Sequence, residues 1–103
     1  MQTHVTILHH DYPAQVRETI EARLGHLAKF HDQIVSLRAL LERDHEKHRV
    51  ELVANIGHGA VLVVDAREDG FSVSIDEAMR RTERLLKRQN ERKGHDRRRR
   101  HAS

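Results

Sequence analysis

The spacing of apolar residues along the chain is the feature that most constrains its fold. Apolar and polar residues alternate in four segments, which is typical of strands with one buried face. In two longer segments the apolar residues recur every three or four positions, which is typical of amphipathic helices. The predicted strands span 3–7, 34–42, 50–56 and 62–66, and the predicted helices span about 14–31 and 74–94.

This order of elements, β-α-β-β-β-α, predicts one small domain built in two layers. A helix that connects two neighbouring strands makes those strands parallel, so the first two strands should be parallel and the remaining pairs antiparallel. We therefore expect an α/β (α+β) two-layer sandwich, in which a four-stranded mixed sheet carries both helices on one face. The 103 residues suffice for one hydrophobic core and not for two.

Local signals mark the limits of the second helix. Ser74 and Glu77 fit a capping box, with acidic residues in the first turn. Gly94 is a typical residue at a helix end. The last nine residues are almost devoid of apolar side chains, so we expect a folded domain at 1–94 and a basic, disordered tail at 95–103.

Positive charge is concentrated at the carboxyl end of the chain. Residues 80–103 hold eleven basic and three acidic side chains, a formal charge of +8, whereas residues 1–79 carry −5. Such a dipolar distribution attracts a polyanion to one face of the molecule. Nucleic acid suits this face better than a membrane, because the helix leaves no tryptophan or bulky apolar patch free to enter lipid.

A basic stripe on the second helix lies opposite the predicted apolar stripe. Its members are Arg80, Arg84, Lys87, Arg88 and Arg92. Long cationic side chains in a row can follow the phosphates of a nucleic-acid strand, and arginine can bind two phosphate oxygens at once. The stripe contains no aromatic residue that could stack on a base. The pattern therefore indicates recognition of phosphates and shape rather than of base sequence.

Several classes of function lack the residues that they need. The chain has no cysteine for a disulfide or a thiolate zinc site. It contains no glycine-rich phosphate loop, no nucleophile elbow and no paired-carboxylate motif. We therefore expect no enzyme activity, no cofactor and no small-molecule substrate. No apolar run approaches the ~20 residues of a membrane span and no signal-peptide pattern is present, so we expect a cytoplasmic protein without membrane partners.

Ten histidines raise the alternative of a histidine-based metal-handling protein. The candidate groups are His9 with His10 and Asp11, His26 with His31, and His45 with His48. None of these groups has the ligand spacing of a recognised zinc site. We therefore expect no metal site.

Three stretches of the sequence are distinctive: Arg23 to Phe30, Ala66 to Asp69, and Ser74 to Asp76. In these stretches, and over residues 1 to about 93, the chain resembles the short form of the ribosome hibernation-promoting factors. This family is also known as the ribosome-associated inhibitors or sigma-54 modulation proteins. The resemblance implies the same β-α-β-β-β-α fold. It also implies a protein that lies in the mRNA and tRNA channel of the small ribosomal subunit and inhibits translation in stressed or stationary cells.

The resemblance also implies which residues bind rRNA. These are Arg23 on the first helix and Arg80, Arg84, Lys87, Arg88 and Arg92 on the second. Additional candidate RNA contacts are Arg17, His26, Lys29, Lys93, Arg97, Arg98, Arg99 and Arg100. Two features depart from the family pattern. His26 stands where lysine is common, and Phe71 lies between Gly70 and Ser72, where the family has an aspartate and a tyrosine; we expect Phe71 to be structural.

Some alternatives stay open at the level of sequence. A double-stranded or structured RNA-binding module without ribosome specificity is the main one, because such domains share an α-β-β-β-α core and read shape. The outer face of the sheet carries Leu40, Val53, Val61 and Val63, which we expect to be ordinary half-exposed side chains of a monomer. Ribosome dimerisation and the inactivation of single ribosomes are both compatible with the sequence.

Overall fold

The computed structural model describes residues 1–8 and 12–102, with side chains as far as residue 92. The strands are β1 (Gln2–Ile7), β2 (Ile34–Asp44), β3 (Lys47–Ile56) and β4 (Ala60–Glu68). The helices are α1 (Val16–Leu27), which a short 3₁₀ turn at Ala28–Phe30 continues, and α2 (Phe71–Ala102). The element order predicted from the apolar periodicity is confirmed.

The four strands form one sheet in the order β1-β2-β3-β4. β1 pairs in parallel with β2, where Val5 lies beside Ala39, and the two following pairs are antiparallel. α1 packs against β1, whereas α2 packs against β3, β4 and α1. The predicted α/β (α+β) sandwich with a mixed sheet is therefore confirmed. The helices cover one face of the sheet and leave the other face open.

Aliphatic side chains fill the space between the sheet and the helices. Each strand contributes alternate residues, and each helix contributes residues three or four apart, as their periods require. The buried apolar residues are Val5, Leu37, Ala39, Leu41, Val50, Leu52, Ala54, Ile56, Val64 and Ala66 in the strands and Val16, Ile20, Leu24, Leu27, Ile75, Ala78, Met79 and Leu86 in the helices. Because each buried leucine or isoleucine contributes about 1.5–3 kcal/mol, this core fixes how each helix is rotated about its axis.

The start of α2 differs from the prediction. The helix begins at Phe71, and its first turn contains no acidic residue, so the expected capping box at Ser74 is wrong. The Ser74 hydroxyl lies 2.6 Å from the backbone oxygen of His48 and 3.0 Å from that of Gly70. Ser74 is fully buried in the first turn of the helix. It therefore ties α2 to β3 instead of capping it.

Aromatic packing accounts for the earlier start of α2. The ring of Phe71 stands edge-on to Tyr12, with the centroids 5.6 Å apart, and edge-on to His48 at 6.1 Å. The Tyr12 hydroxyl lies 2.8 Å from Nδ1 of His48. Edge-to-face aromatic pairs contribute about 0.5–1.5 kcal/mol beyond the burial of their area. Phe71 therefore has the structural role expected from the sequence.

Two other helix limits also differ from the prediction. α1 begins two residues late, because a turn closed by the Val16 N–H and the Pro13 oxygen (3.0 Å) precedes it. α2 passes through Gly94, where it was predicted to stop, and extends to Ala102. A glycine inside a helix costs only about 1 kcal/mol relative to alanine, so it does not by itself end one. The side chains of 95–103 lie outside the described part of the chain, and the predicted disorder there stays a prediction.

Arginine side chains from the two helices reach the two edges of the sheet. β1 and β4 are the edge strands. Nη1 of Arg17 on α1 donates a hydrogen bond to the backbone oxygen of Val5 at 2.6 Å. Nη1 of Arg81 on α2 donates to the backbone oxygen of Asp65 at 3.1 Å. Since unpaired backbone groups at a sheet edge can pair with other chains, each arginine protects one point of an edge.

α1 and α2 lie side by side and run in the same direction. Near the amino end of α2, the Asp76 carboxylate lies 3.1 Å from Nη2 of Arg23 in α1. Further along both helices, Nζ of Lys87 lies 4.9 Å from the centroid of the Phe30 ring. The contacts therefore advance along both helices together, and cations of α1 can lie next to those of α2.

A buried histidine joins α2 to the segment that follows α1. Nδ1 of His31 accepts a hydrogen bond from the backbone N–H of Gln33 at 3.0 Å. Its Nε2 therefore carries the proton and donates to Oε1 of Gln89 at 2.7 Å. The His31 side chain is fully buried, so both of its nitrogens depend on these two partners.

Substitution Gln89→Ala should lower the free energy of unfolding by about 1–3 kcal/mol, because it leaves the Nε2–H group of His31 buried without an acceptor. Urea unfolding followed by circular dichroism measures the change. The exposed neighbour Asn90 provides the control, since Asn90→Ala should change the stability by less than about 0.5 kcal/mol. Equal stability of the two variants would contradict the role given to this hydrogen bond.

Candidate nucleic-acid interface

The predicted cations of α2 lie on one exposed face of the helix. They are Arg80, Arg84, Lys87, Arg88 and Arg92, and each side chain is exposed. The opposite face of α2 is buried through Ile75, Met79 and Leu86. Because the helix cannot rotate about its axis without exposing these apolar residues, the core holds the basic stripe toward solvent.

Arg84, Arg88 and Arg92 carry the least compensated charge of the stripe. Within the part of the chain that the structure describes, none of the three forms an ion pair with an acidic side chain. Arg84 and Arg88 are four residues apart, which is about 6 Å along the helix axis. Their guanidinium groups can therefore bind neighbouring phosphates, with two oxygens each.

Glu77 compensates the positive charge at the amino end of the stripe. Its carboxylate forms ion pairs with Arg81 at 2.7 Å and with Arg80. Hydrogen bonds from Arg81 and Arg80 hold the pKa of Glu77 below its usual value, and the hydrogen bond to Glu77 raises the pKa of Arg80. Neither Glu77 nor Arg81 is among the predicted site residues. Their spacing of four, and that of Glu77 and Arg80 of three, is the signal that could have found this cluster.

Lys87 is partly engaged within the protein. Its Nζ lies 3.5 Å from the Glu83 carboxylate and 4.9 Å from the centroid of the Phe30 ring. An ammonium group over an aromatic ring contributes about 0.5–1 kcal/mol at an exposed site. Lys87 therefore helps to hold α1 against α2. It has less charge available for a phosphate than Arg84 and Arg88.

The cations predicted on α1 flank the stripe of α2. Arg23 forms the ion pair with Asp76 and keeps 40% of its side chain exposed. The ring of His26 stands edge-on to Phe30, with centroids 5.6 Å apart. Lys29 is exposed. The structure thus brings Arg23 and His26 to the edge of the basic face, with part of the charge of Arg23 already compensated.

The remaining predicted RNA contacts are placed differently. The hydrogen bond from Arg17 to Val5 holds that guanidinium at the edge of β1, so its position is set by the fold. Lys93, Arg97, Arg98, Arg99 and Arg100 have side chains outside the described part of the chain, and their roles stay predictions.

Ion pairs join one arginine to three acidic side chains on the open face of the sheet. Arg49, with 16% of its side chain exposed, binds Asp65 at 2.7 Å, Glu42 at 2.8 Å, and Glu51. Burial lowers the pKa of Arg49, but hydrogen bonds to Asp65, Glu51 and Glu42 outweigh burial and raise the pKa above its usual value. This network joins three strands and does not follow from the sequence pattern. The positive charge of Arg49 is therefore compensated within the open face.

The aliphatic residues of the open face differ in exposure. Leu40 and Val53 are half-buried. Val61 and Val63 on the edge strand β4 are 54% and 59% exposed. Leu40 and Val53 therefore meet the expectation of half-exposed side chains, whereas Val61 and Val63 are more exposed than expected.

The predicted histidine groups do not converge on one point in the described residues. His45 pairs with Asp44 at 2.9 Å, whereas His48 contacts Tyr12. No set of three potential metal ligands occurs among residues 1–8 and 12–92. His9, His10 and Asp11 lie outside the described residues. Within the described chain, no helix combines the length and the apolar character needed to cross a bilayer.

The fold and the charged surface define a class of small α/β sandwich proteins with one long basic helix. The chain belongs to the family described as Sigma 54 modulation protein / S30EA ribosomal protein, whose model matches residues 3–94. The resemblance noted from the sequence is therefore confirmed. The family is one of ribosome-associated modulation proteins, a non-enzymatic kind of protein, so membership gives the chain a ribosome-related role.

Solved structures of similar fold support this assignment. The N-terminal domain of Protein Y from Thermus thermophilus superposes with a TM-score of 0.71 at 21% identity, over 82% of this chain and 93% of that one. A ribosomal subunit interface protein from Coxiella burnetii superposes with a TM-score of 0.71 at 19% identity, over 85% and 96%. At these identities the likeness shows a shared fold. None of the curated proteins matches the chain in sequence.

Substitution Glu77→Gln should strengthen binding to a nucleic-acid duplex, because it releases Arg80 and Arg81 from their shared carboxylate. The logarithm of the binding constant should also fall more steeply with the logarithm of salt concentration, by about one unit of slope for each additional phosphate that the released arginines bind. Fluorescence anisotropy of a labelled RNA duplex over a salt series measures both effects.

Glu46→Gln makes the same charge change at an exposed position of the β2–β3 hairpin and serves as the control. It should leave the slope of the salt dependence unchanged. A slope for Glu77→Gln no steeper than that of the control would mean that Arg80 and Arg81 do not reach phosphate even when released.

Proposed function

We propose that this protein is a ribosome-associated translation inhibitor. It binds small-subunit rRNA in the channel for mRNA and tRNA and promotes ribosome hibernation under stress or in stationary phase. The phosphate contacts come mainly from α2, with α1 at the margin of the interface. Such a protein acts in the cytoplasm, where the ribosomes are, and is a monomer when free.

The observation that carries this proposal is the row of exposed arginines on a helix that the core prevents from turning. Arg84, Arg88 and Arg92 have no acidic partner among the described side chains. Their charge is therefore available for phosphates without the cost of breaking an internal ion pair. Charges held on a regular element also bind with less loss of conformational entropy than charges on a mobile loop.

The ribosome is the favoured source of these phosphates because of the family to which the chain belongs. Arg49 on the open face of the sheet is bound to three carboxylates, so its charge is not available to a polyanion. A charge distribution of this kind orients the protein as it approaches a large RNA.

Binding to free structured RNA is the second candidate, and the aromatic residues favour it. Tyr12, Phe30 and Phe71 are each partly buried against the core, so none is free to stack on an unpaired base. Recognition then rests on phosphates and shape, which an RNA duplex also presents. This candidate predicts equal affinity for small ribosomal subunits and for a naked duplex, whereas the ribosomal proposal predicts a clear preference for the subunits.

The double substitution Arg84→Gln and Arg88→Gln should weaken binding to small ribosomal subunits by about tenfold or more for each arginine removed, because each removes a charge-assisted hydrogen bond to phosphate. The slope of the logarithm of affinity against that of salt concentration should fall by about one for each residue. Co-sedimentation over a salt series measures both quantities.

The control is Arg38→Gln, which removes one exposed positive charge from the open face of the sheet. It should keep the affinity and the slope of the unaltered protein, and circular dichroism should report the same helix content for all variants. A double variant that binds like the control would show that α2 does not provide the interface.

A further inference from the structure

The edge of β4 is open over part of its length. β4 forms ladder hydrogen bonds with β3 alone, and alternate residues of a strand direct their backbone groups to opposite sides. The oxygen of Asp65 points away from β3, since Arg81 reaches it there. Val63 and Val61 lie two and four residues before Asp65 in the same strand. Their N–H and C=O groups therefore point to the same open edge as those of Asp65. Among the described residues, no group forms a hydrogen bond with them.

A groove runs beside this edge, between β4 and α2. It encloses about 380 Å³, and Val63 lines it from the strand. From α2 it is lined by the apolar Leu85 and by the cations Arg81, Arg84 and Arg88, of which Arg81 is held at the Asp65 oxygen. A chain placed in the groove would therefore meet unpaired backbone groups on one side and positive charges on the other.

The two faces of β4 differ in chemistry, which sets the sequence that could pair with it. On the open face of the sheet, Val61 and Val63 are more than half exposed, so they favour apolar neighbours on an added strand. On the helix face, Arg84 and Arg88 have no acidic partner among the described side chains. They favour carboxylates at the alternate positions of the same added strand.

We propose that the edge of β4 binds an extended acidic segment of another protein, which adds to the sheet as a fifth strand. In this segment carboxylates alternate with β-branched apolar residues. The carboxylates pair with Arg84 and Arg88, and the apolar side chains cover Val61 and Val63. Main-chain hydrogen bonds to β4 hold the segment in register.

Other occupants of the groove fit these observations less well. A second copy of this chain paired through β4 would bring two sets of Arg84 and Arg88 together, and like charges at an interface are costly. RNA could bind the arginines, but it offers no ladder of alternating N–H and C=O groups for the open strand. An acidic strand is the occupant that uses the cations, the valines and the backbone edge together.

Arg84 and Arg88 also belong to the proposed RNA interface, so an acidic strand and RNA would exclude each other. An acidic partner would then release the protein from RNA. This competition rests on the proposed function, whereas binding of the strand does not. The two are therefore tested apart, by measuring peptide binding in the absence of RNA.

The probe is a fluorescein-labelled peptide in which glutamate and valine alternate over seven residues, followed by fluorescence anisotropy with the full chain. Two further peptides carry N-methyl groups, one on the valines and the other on the glutamates. Because alternate residues of a strand face opposite edges, methylation of only one set removes the donors that face β4. We expect one of the two methylated peptides to lose binding and the other to keep it. Equal binding of all three would overturn the proposal, because charge alone would then explain the affinity.

The protein side of the test uses the double substitution Arg84→Gln and Arg88→Gln. It should weaken binding of the unmethylated peptide by at least about tenfold, while Arg38→Gln on the open sheet face leaves it unchanged. Sedimentation velocity of the free protein should show a monomer. A dimer that the peptide dissociates would assign the β4 edge to a second copy of the chain and would likewise overturn the proposal.

Discussion

Burial of one face of α2 against the sheet determines where the charge of this protein can act. Ile75, Met79 and Leu86 are nearly inaccessible to solvent, and exposing them would cost several kcal/mol by area alone. The helix is therefore fixed in rotation, and Arg84 and Arg88 must face solvent on its other side. The packing of the helix thereby places the arginines in a row on its exposed side, and no residue is needed only to hold them there.

Pairing within the fold then decides which of the many cations remain available. Arg17 and Arg81 reach backbone oxygens at the two sheet edges, Arg23 pairs with α2, and Arg49 is surrounded by carboxylates. In each of these contacts the arginine binds a backbone oxygen or a carboxylate of the protein itself. Arg84, Arg88 and Arg92, which have no acidic partner among the described side chains, lie along the middle of α2. The net charge of the chain therefore says less about a partner than the position of the charges that have no partner within the fold.

The topology and the basic stripe could be predicted from the sequence because both follow from short-range periodicity. Strand alternation determined the core face, and the spacing of Arg84 and Arg88 placed them opposite it. The pairing of Arg23 with Asp76 could not be predicted in this way, since the partners are 53 residues apart. Backbone acceptors such as the Asp65 oxygen have no side-chain signature at all. The start of α2 was misplaced because Phe71 packs on distant aromatic rings, a tertiary effect that outweighs a local capping signal.

The most direct test of the central claim is co-sedimentation of the purified protein with small ribosomal subunits, with and without saturating tRNA and mRNA. If α2 occupies the channel, the protein should sediment with the subunits at moderate salt, and tRNA together with mRNA should displace it. Binding that persists undiminished in the presence of both would contradict the account, since the interface would then lie elsewhere on the subunit.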